Sequence, residues 1–102
     1  MIPSDKVQNI INKHNSLEKE LSSGKFDAKQ FAKKSKEYSD LKDIIKIAEE
    51  YLNYDKNKKD LNNIINDKKN DIEMIDLAQK ELDNIEDRKN FYEKKLKLFL
   101  LP

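Results

Sequence analysis

The chain has 102 residues, 40% of them charged and 36% hydrophobic, with 21 basic and 20 acidic side chains. That length allows one small domain, and the near-neutral charge does not favour a dedicated nucleic-acid binder. Because the chain has no cysteine, and residues 25–101 contain neither glycine nor proline, we exclude disulfide scaffolds, thiol chemistry, cysteine zinc sites and turn-rich β or βαβ folds.

The first predicted helix begins at about Ser4 or Asp5 and ends at Ser22. Its apolar stripe at helical spacing consists of Val7, Ile10, Ile11, His14, Leu17 and Leu21. Asp5, followed three residues later by Gln8, predicts a capping box at the start of this helix. Gly24 is expected to end the helix in the left-handed conformation.

The second predicted helix is the longest and has the clearest start. Asp27 is its predicted N-cap with Gln30 as capping-box partner, and Phe26 and Phe31 are expected to form a hydrophobic staple. Apolar residues then follow at heptad spacing, at Phe31, Tyr38, Leu41, Ile45, Ala48 and Leu52. The stripe continues in a shifted register at Tyr51, Tyr54, Leu61, Ile64 and Ile65. That shift indicates helical drift, or a bend near residues 53–60.

Residues 66–71 are polar and predict a turn, after which Asn70 or Asp71 caps a third helix. The apolar stripe of this helix begins at Met74, Ile75 and Leu77 and continues through Ala78, Leu82, Ile85, Lys89, Tyr92, Leu96 and Phe99. Lys89 is the one polar member, and its aliphatic stem can cover apolar surface while its ammonium reaches water.

These patterns predict three amphipathic helices of roughly 18, 40 and 29 residues. Short turns make neighbouring helices antiparallel. We therefore predict an all-α fold, an elongated antiparallel three-helix arrangement. In it, helices 2 and 3 form a long coiled-coil-like hairpin and helix 1 packs alongside. Residues 1–102 are predicted to be one helical domain. The apolar run Leu98–Leu101 before Pro102 leads us to expect further chain beyond it.

Residues that could carry chemistry are few. His14 lies in an apolar stripe with no second histidine to complete a metal site, so we expect it at the edge of the core. One glycine cannot make a phosphate-binding loop, and no carboxylate or serine is paired with a base. The aromatic residues are expected in the core or at its rim. We therefore predict no enzymatic activity, no catalytic, cofactor-binding or metal-binding residue and no cofactor, and the pattern identifies no partner-binding residue.

Charge varies along the chain although its total is near zero. Residues 25–46 carry +3, residues 67–87 carry −5 and residues 88–97 carry +4. We interpret this as oppositely charged helices pairing across a bundle, with a partner-docking patch as the alternative. The longest apolar run has four residues, too short to span a bilayer, so we expect no membrane contact.

Several segments, in order along the chain, resemble motifs of bacterial class I peptide chain release factors. They are Met1–Ser4, Lys36–Leu41 with Tyr51 and Tyr54 after it, Asp71–Leu82, and Leu98–Pro102. The chain therefore resembles the N-terminal helical domain of the peptide chain release factor 1 branch of that family. Ile72 departs from the pattern, because the family has proline there, and the start of helix 3 is less sharply defined without its fixed φ.

The resemblance implies a cytoplasmic role in translation termination. Full-length members bind the ribosome at UAA or UAG stop codons through a Pro-x-Thr loop and promote peptidyl-tRNA hydrolysis through Gly-Gly-Gln. Neither motif occurs in residues 1–102, so contacts with the stop codon and peptidyl-tRNA would belong to further domains. This domain would reach toward the stalk base of the large ribosomal subunit. We expect the fragment to be a monomer, with a helix-swapped dimer as the alternative.

Two other functions are compatible with the same pattern. One is a tRNA-binding arm like the N-terminal coiled coil of seryl-tRNA synthetases, favoured by the long hairpin. The near-neutral charge and the single arginine, Arg88, count against it. The other is a generic coiled-coil scaffold, which predicts a stable dimer.

Overall fold

A computed structural model describes residues 1–102 as three α-helices without strands. Helix α1 spans Ser4–Ser23, α2 spans Ala28–Asn66 and α3 spans Ile72–Leu100. The molecule measures 61 × 28 × 19 Å, and α2 at about 1.5 Å per residue runs nearly its full length. The predicted all-α, elongated architecture is confirmed. None of the three helices combines the length and apolarity needed to cross a bilayer.

The helices form a short three-helix section with a two-helix hairpin extending from each end. Ile2, which precedes α1, and residues of all three helices build the core of the middle section. The helix residues are Val7, Ile10, Leu17, Leu41, Ile44, Ala48, Tyr51 and Leu96. A smaller core of Tyr54, Leu82 and Ile85 lies further along the α2–α3 hairpin. The two turns therefore lie at opposite ends of the rod.

Helix α1 has the predicted extent but not the predicted cap. Pro3 occupies the N-cap position with φ −57° and ψ 134°, and no side chain caps the helix. The capping box of Asp5 and Gln8 is therefore wrong. The helix starts directly after Pro3, which leaves Asp5 inside the first turn, and the Gln8 amide donates to Asn12 Oδ1 instead, at 3.0 Å. Gly24 ends α1 with φ 66°, as predicted.

Helix α2 begins as predicted, because Asp27 Oδ1 accepts the Gln30 N–H at 2.8 Å. Of the buried positions, Leu41 and Ala48 belong to the predicted heptad seam and Tyr51 and Tyr54 to the predicted shifted stripe, and only Ile44 belongs to neither. Ile45 and Leu52 are only half-buried and Phe31 is exposed. The seam is displaced because α2 has a partner helix on two sides along its middle, which requires a wider apolar face than one heptad line. The helix continues unbroken through residues 53–60.

Helix α3 is capped by Asp71, whose carboxylate accepts the Met74 N–H at 2.8 Å. The Asn70 amide instead donates to the Ile64 carbonyl at the end of α2, at 2.9 Å. Ala78, Leu82, Ile85 and Leu96 are buried as predicted. Met74 and Leu77 are exposed whereas Ile75 between them is half-buried, so only a narrow stripe faces α2 at this end of α3 and full burial begins at Ala78.

Candidate functional site

Concave surface on this rod consists of open grooves between helices. The groove between α2 and α3 is lined by Glu50, Tyr54, Asn57, Ile85, Arg88, Lys89 and Tyr92. No three His, Cys, Asp or Glu side chains lie together in a way that could hold a metal ion.

His14 lies where the sequence places it, half-buried at the edge of the core. Its ring stacks on Tyr38 of α2 with centroids 4.9 Å apart and planes 24° apart. Its Nδ1 lies 3.1 Å from Asn15 Oδ1. These contacts give His14 a packing role between α1 and α2.

The first two residues are held against both other helices. The Met1 α-amino group lies 3.1 Å from Glu93 Oε1, and Lys97 Nζ lies 3.4 Å from the same oxygen. The Ile2 N–H donates to the Tyr51 hydroxyl at 3.1 Å. The hydrogen bond from the Met1 ammonium lowers the pKa of Glu93 below its ordinary value, with a smaller contribution from Lys97. The carboxylate is therefore held in its charged form.

Tyr54 lies between two lysines on the α2–α3 hairpin. Lys89 Nζ is 4.8 Å from the centre of its ring and Lys58 Nζ is 5.9 Å from it. Lys58 also lies 3.9 Å from Glu86 Oε1. Burial raises the pKa of the Tyr54 hydroxyl despite the nearby Lys58. Lys89, predicted to cover apolar surface with its stem, therefore also makes a cation–π contact.

Tyr92 and Arg88 form the rest of this groove. The interaction of the Tyr92 hydroxyl with the Glu50 carboxylate, together with burial, raises the pKa of Tyr92. Arg88 Nη2 donates to Glu81 at 2.8 Å along the exposed side of α3. The Tyr92–Glu50 and Lys89–Tyr54 contacts therefore join α3 to α2 across the groove, whereas the Arg88–Glu81 pair lies within α3.

The two ends of the rod differ in charge. The turn from α1 to α2 and the first half of α2 hold the +3 segment, residues 25–46, and Lys34 pairs with Glu20 at 2.7 Å across that hairpin. Residues 67–87 hold the −5 segment, at and beyond the opposite turn. The positive and negative segments are therefore separated along the long axis of the rod. The electric field of a charged partner would favour one orientation of the rod over the other.

The sequence misses the contacts that join distant residues. Nothing in the pattern pairs Met1 with Glu93 or Tyr54 with Lys89, because the partners in each pair are far apart in the chain. The apolar spacing of Tyr51 and Tyr54 is the one signal that points to this region. The structure brings none of the predicted features together into a catalytic arrangement.

Comparison with known proteins shows that residues 10–102 match one family model, the PCRF domain. Peptide chain release factor 1 of Pelagibacter ubique is 50% identical over all 102 residues, which is 29% of its own length. The Rickettsia bellii protein of the same name is 33% identical over 97% of this chain, and that of Orientia tsutsugamushi is 38% identical over 94%. The chain spans less than a third of each relative. No solved structure shows a significant match.

Proposed function

The chain belongs to the PCRF domain family, and from this we propose that it is the N-terminal helical domain of a cytoplasmic peptide chain release factor 1. The observation that carries the proposal is the 50% identity to the Pelagibacter ubique relative over all 102 residues. Because that relative is a peptide chain release factor 1, we assign this chain a part in translation termination.

The proposed full-length protein recognises UAA and UAG stop codons on the ribosome and promotes hydrolysis of peptidyl-tRNA. Both steps are assigned to domains beyond residue 102, since the Pro-x-Thr and Gly-Gly-Gln motifs do not occur in residues 1–102. In this proposal the present domain carries no catalytic residue. Its role is to contact the ribosome at the stalk base of the large subunit.

The fold suits such a role. A rod 61 Å long can connect two surfaces that are far apart. The three-helix section stiffens its middle, and the caps at Asp27 and Asp71 fix where each long helix begins. The different charges of the two ends supply an electrostatic preference for one orientation on a charged partner.

A domain replacement tests the proposal. Residues 1–102 replace the matching region of the Pelagibacter ubique relative, and peptide release is measured on ribosomes stalled at UAA, UAG or UGA. The relative without this region is the matched control. We expect the chimera to release peptide at UAA and UAG at rates near those of the intact relative, and well above the truncated control. A chimera no more active than the truncated control would overturn the proposal.

A further inference from the structure

The end of α3 is apolar in every direction. Successive residues of a helix point about 100° apart, so Leu98, Phe99 and Leu100 face three sides of the axis and Leu101 follows at the C-cap. Their exposed fractions are 70%, 39%, 39% and 66%. A helical turn that is apolar all round is normally buried all round, so this turn lacks part of its expected cover.

The other helices cover one side of this turn. Phe99 and Leu100 line a groove whose remaining residues are Lys6, Asn9, Ile10, Lys13 and Leu41. Leu98 points away from that groove, and Phe91 lies two turns earlier on the same exposed face of α3. Lys94 and Lys95 separate Phe91 from Leu98, and Lys95 Nζ lies 4.9 Å from the centre of the Phe91 ring. We call Leu98–Leu101 the C-terminal patch. Contiguous apolar surface of this kind marks an interaction site.

Lysines surround the C-terminal patch. Lys94, Lys95 and Lys97 flank it on α3, and Lys6 and Lys13 lie beside the groove on α1, all of them exposed. A complementary surface therefore combines apolar side chains at its centre with carboxylates at its rim. A second copy of this chain does not provide that, because a two-fold contact would place the same lysines against each other.

We propose that the C-terminal patch is the docking surface for the polypeptide segment that follows Pro102, and that this segment carries apolar residues flanked by Asp or Glu. The inference rests on the proposed function, in which the chain continues into further domains. The relatives are longer in the same way, since this chain covers 29% or less of their length. The Leu101 N–H donates to the Leu98 carbonyl at 3.3 Å, so the backbone leaves α3 within the patch. A segment tethered there docks at high effective concentration.

Thiol labelling tests the inference, since residues 1–102 contain no cysteine. Leu98→Cys is introduced into the 102-residue chain and into the full product of the gene, in which downstream cysteines are replaced by serine. The rate at which the introduced thiol reacts with a maleimide is then compared between the two proteins. Asn63→Cys, exposed on α2, is the matched control. We expect Leu98→Cys to react at least tenfold more slowly in the full product and Asn63→Cys to react equally in both.

Hydrogen exchange is a second test, because it compares the 102-residue chain with the full product without substituting a residue of the patch. We expect the amides of residues 97–101 to exchange more slowly in the full product. Lys94→Glu should reverse part of this protection, whereas Lys80→Glu, exposed further along α3, should not. Sedimentation of the 102-residue chain should show a monomer.

The possible failures are distinguishable. A gene that ends at codon 102 would overturn the proposed function and this inference together. Equal labelling and exchange in the two proteins would overturn the inference alone. A dimer of the 102-residue chain with a protected Leu98→Cys would assign the patch to a second copy and also overturn it.

Discussion

The Met1 α-amino group lies 3.1 Å from a carboxylate oxygen of Glu93, joining residues 92 positions apart in the chain. The neighbouring Ile2 N–H reaches the Tyr51 hydroxyl, and the Ile2 side chain is buried in the core. The start of the chain is therefore bound to α2 and to α3. These contacts close the three-helix section, which we expect to be the most stable part of the rod.

Glu93→Gln removes the negative charge that the Met1 ammonium and Lys97 both contact, and it keeps the side-chain volume nearly unchanged. We expect a loss of about 1 kcal/mol in the free energy of unfolding, measured by urea titration, because Glu93 is shielded from solvent. Glu81→Gln is the matched control. Its partner Arg88 is at 2.8 Å but both side chains are half-exposed, so we expect a loss below about 0.5 kcal/mol. Equal losses would contradict the role assigned to Glu93.

The same contact predicts a dependence on acid. The hydrogen bond from the Met1 ammonium lowers the pKa of Glu93 below its ordinary value of 4.5. Because the folded state has the lower pKa, the stabilisation is complete above the ordinary value and is lost as pH falls through the folded-state pKa. The difference in unfolding free energy between wild type and Glu93→Gln should be full at about pH 7 and near zero at about pH 2. A difference independent of pH would count against this contact.

Tyr51→Phe removes one hydroxyl from the core. The Ile2 N–H then loses its acceptor in a buried position, and we expect a loss of about 1–2 kcal/mol in unfolding free energy. Tyr38→Phe is the control, because its ring stacks on His14 without a hydrogen bond from its hydroxyl, and we expect little change. Comparable losses for the two variants would show that the Tyr51 hydroxyl is not acting through Ile2.

Leu96→Ala tests the packing where the three helices meet. Leu96 is completely buried, and truncating such a side chain costs about 3 kcal/mol. Phe91→Ala, on the exposed side of the same helix, should cost less than about 1 kcal/mol although it removes a larger side chain. Urea unfolding of both variants checks this, and a Phe91→Ala loss as large as that of Leu96→Ala would mean that α3 faces the other way.

Gly24→Ala should lower the free energy of unfolding by about 1 kcal/mol. Gly24 has φ 66° and a Cβ there would meet no atom within 4 Å, so the loss comes from the backbone conformation alone. Gly24→Asn should lose less, because asparagine tolerates the left-handed conformation. Thermal unfolding of both variants would refute this explanation if alanine proved as stable as glycine.

Local features of the fold were predictable from the sequence, apart from the capping box of Asp5 and Gln8, and long-range features were not. The caps at Asp27 and Asp71 and the end at Gly24 depend on neighbouring residues, so their residue types predict them. The sequence pattern includes Tyr51 in one apolar stripe of α2 and Leu52 in another, and it does not specify how α1 and α3 divide the surface of α2, which leaves Tyr51 buried and Leu52 half-buried. For the candidate site, the charged segments were visible in the sequence. The pairing of Met1 with Glu93 was not, because it requires α1 and α3 to meet.

The coding sequence beyond codon 102 distinguishes a release-factor domain from an unrelated helical rod. We expect an open frame that continues into a domain with a Pro-x-Thr tripeptide, and beyond it a Gly-Gly-Gln motif. A frame that continues without Gly-Gly-Gln would contradict the assignment of this helical rod to a translation release factor.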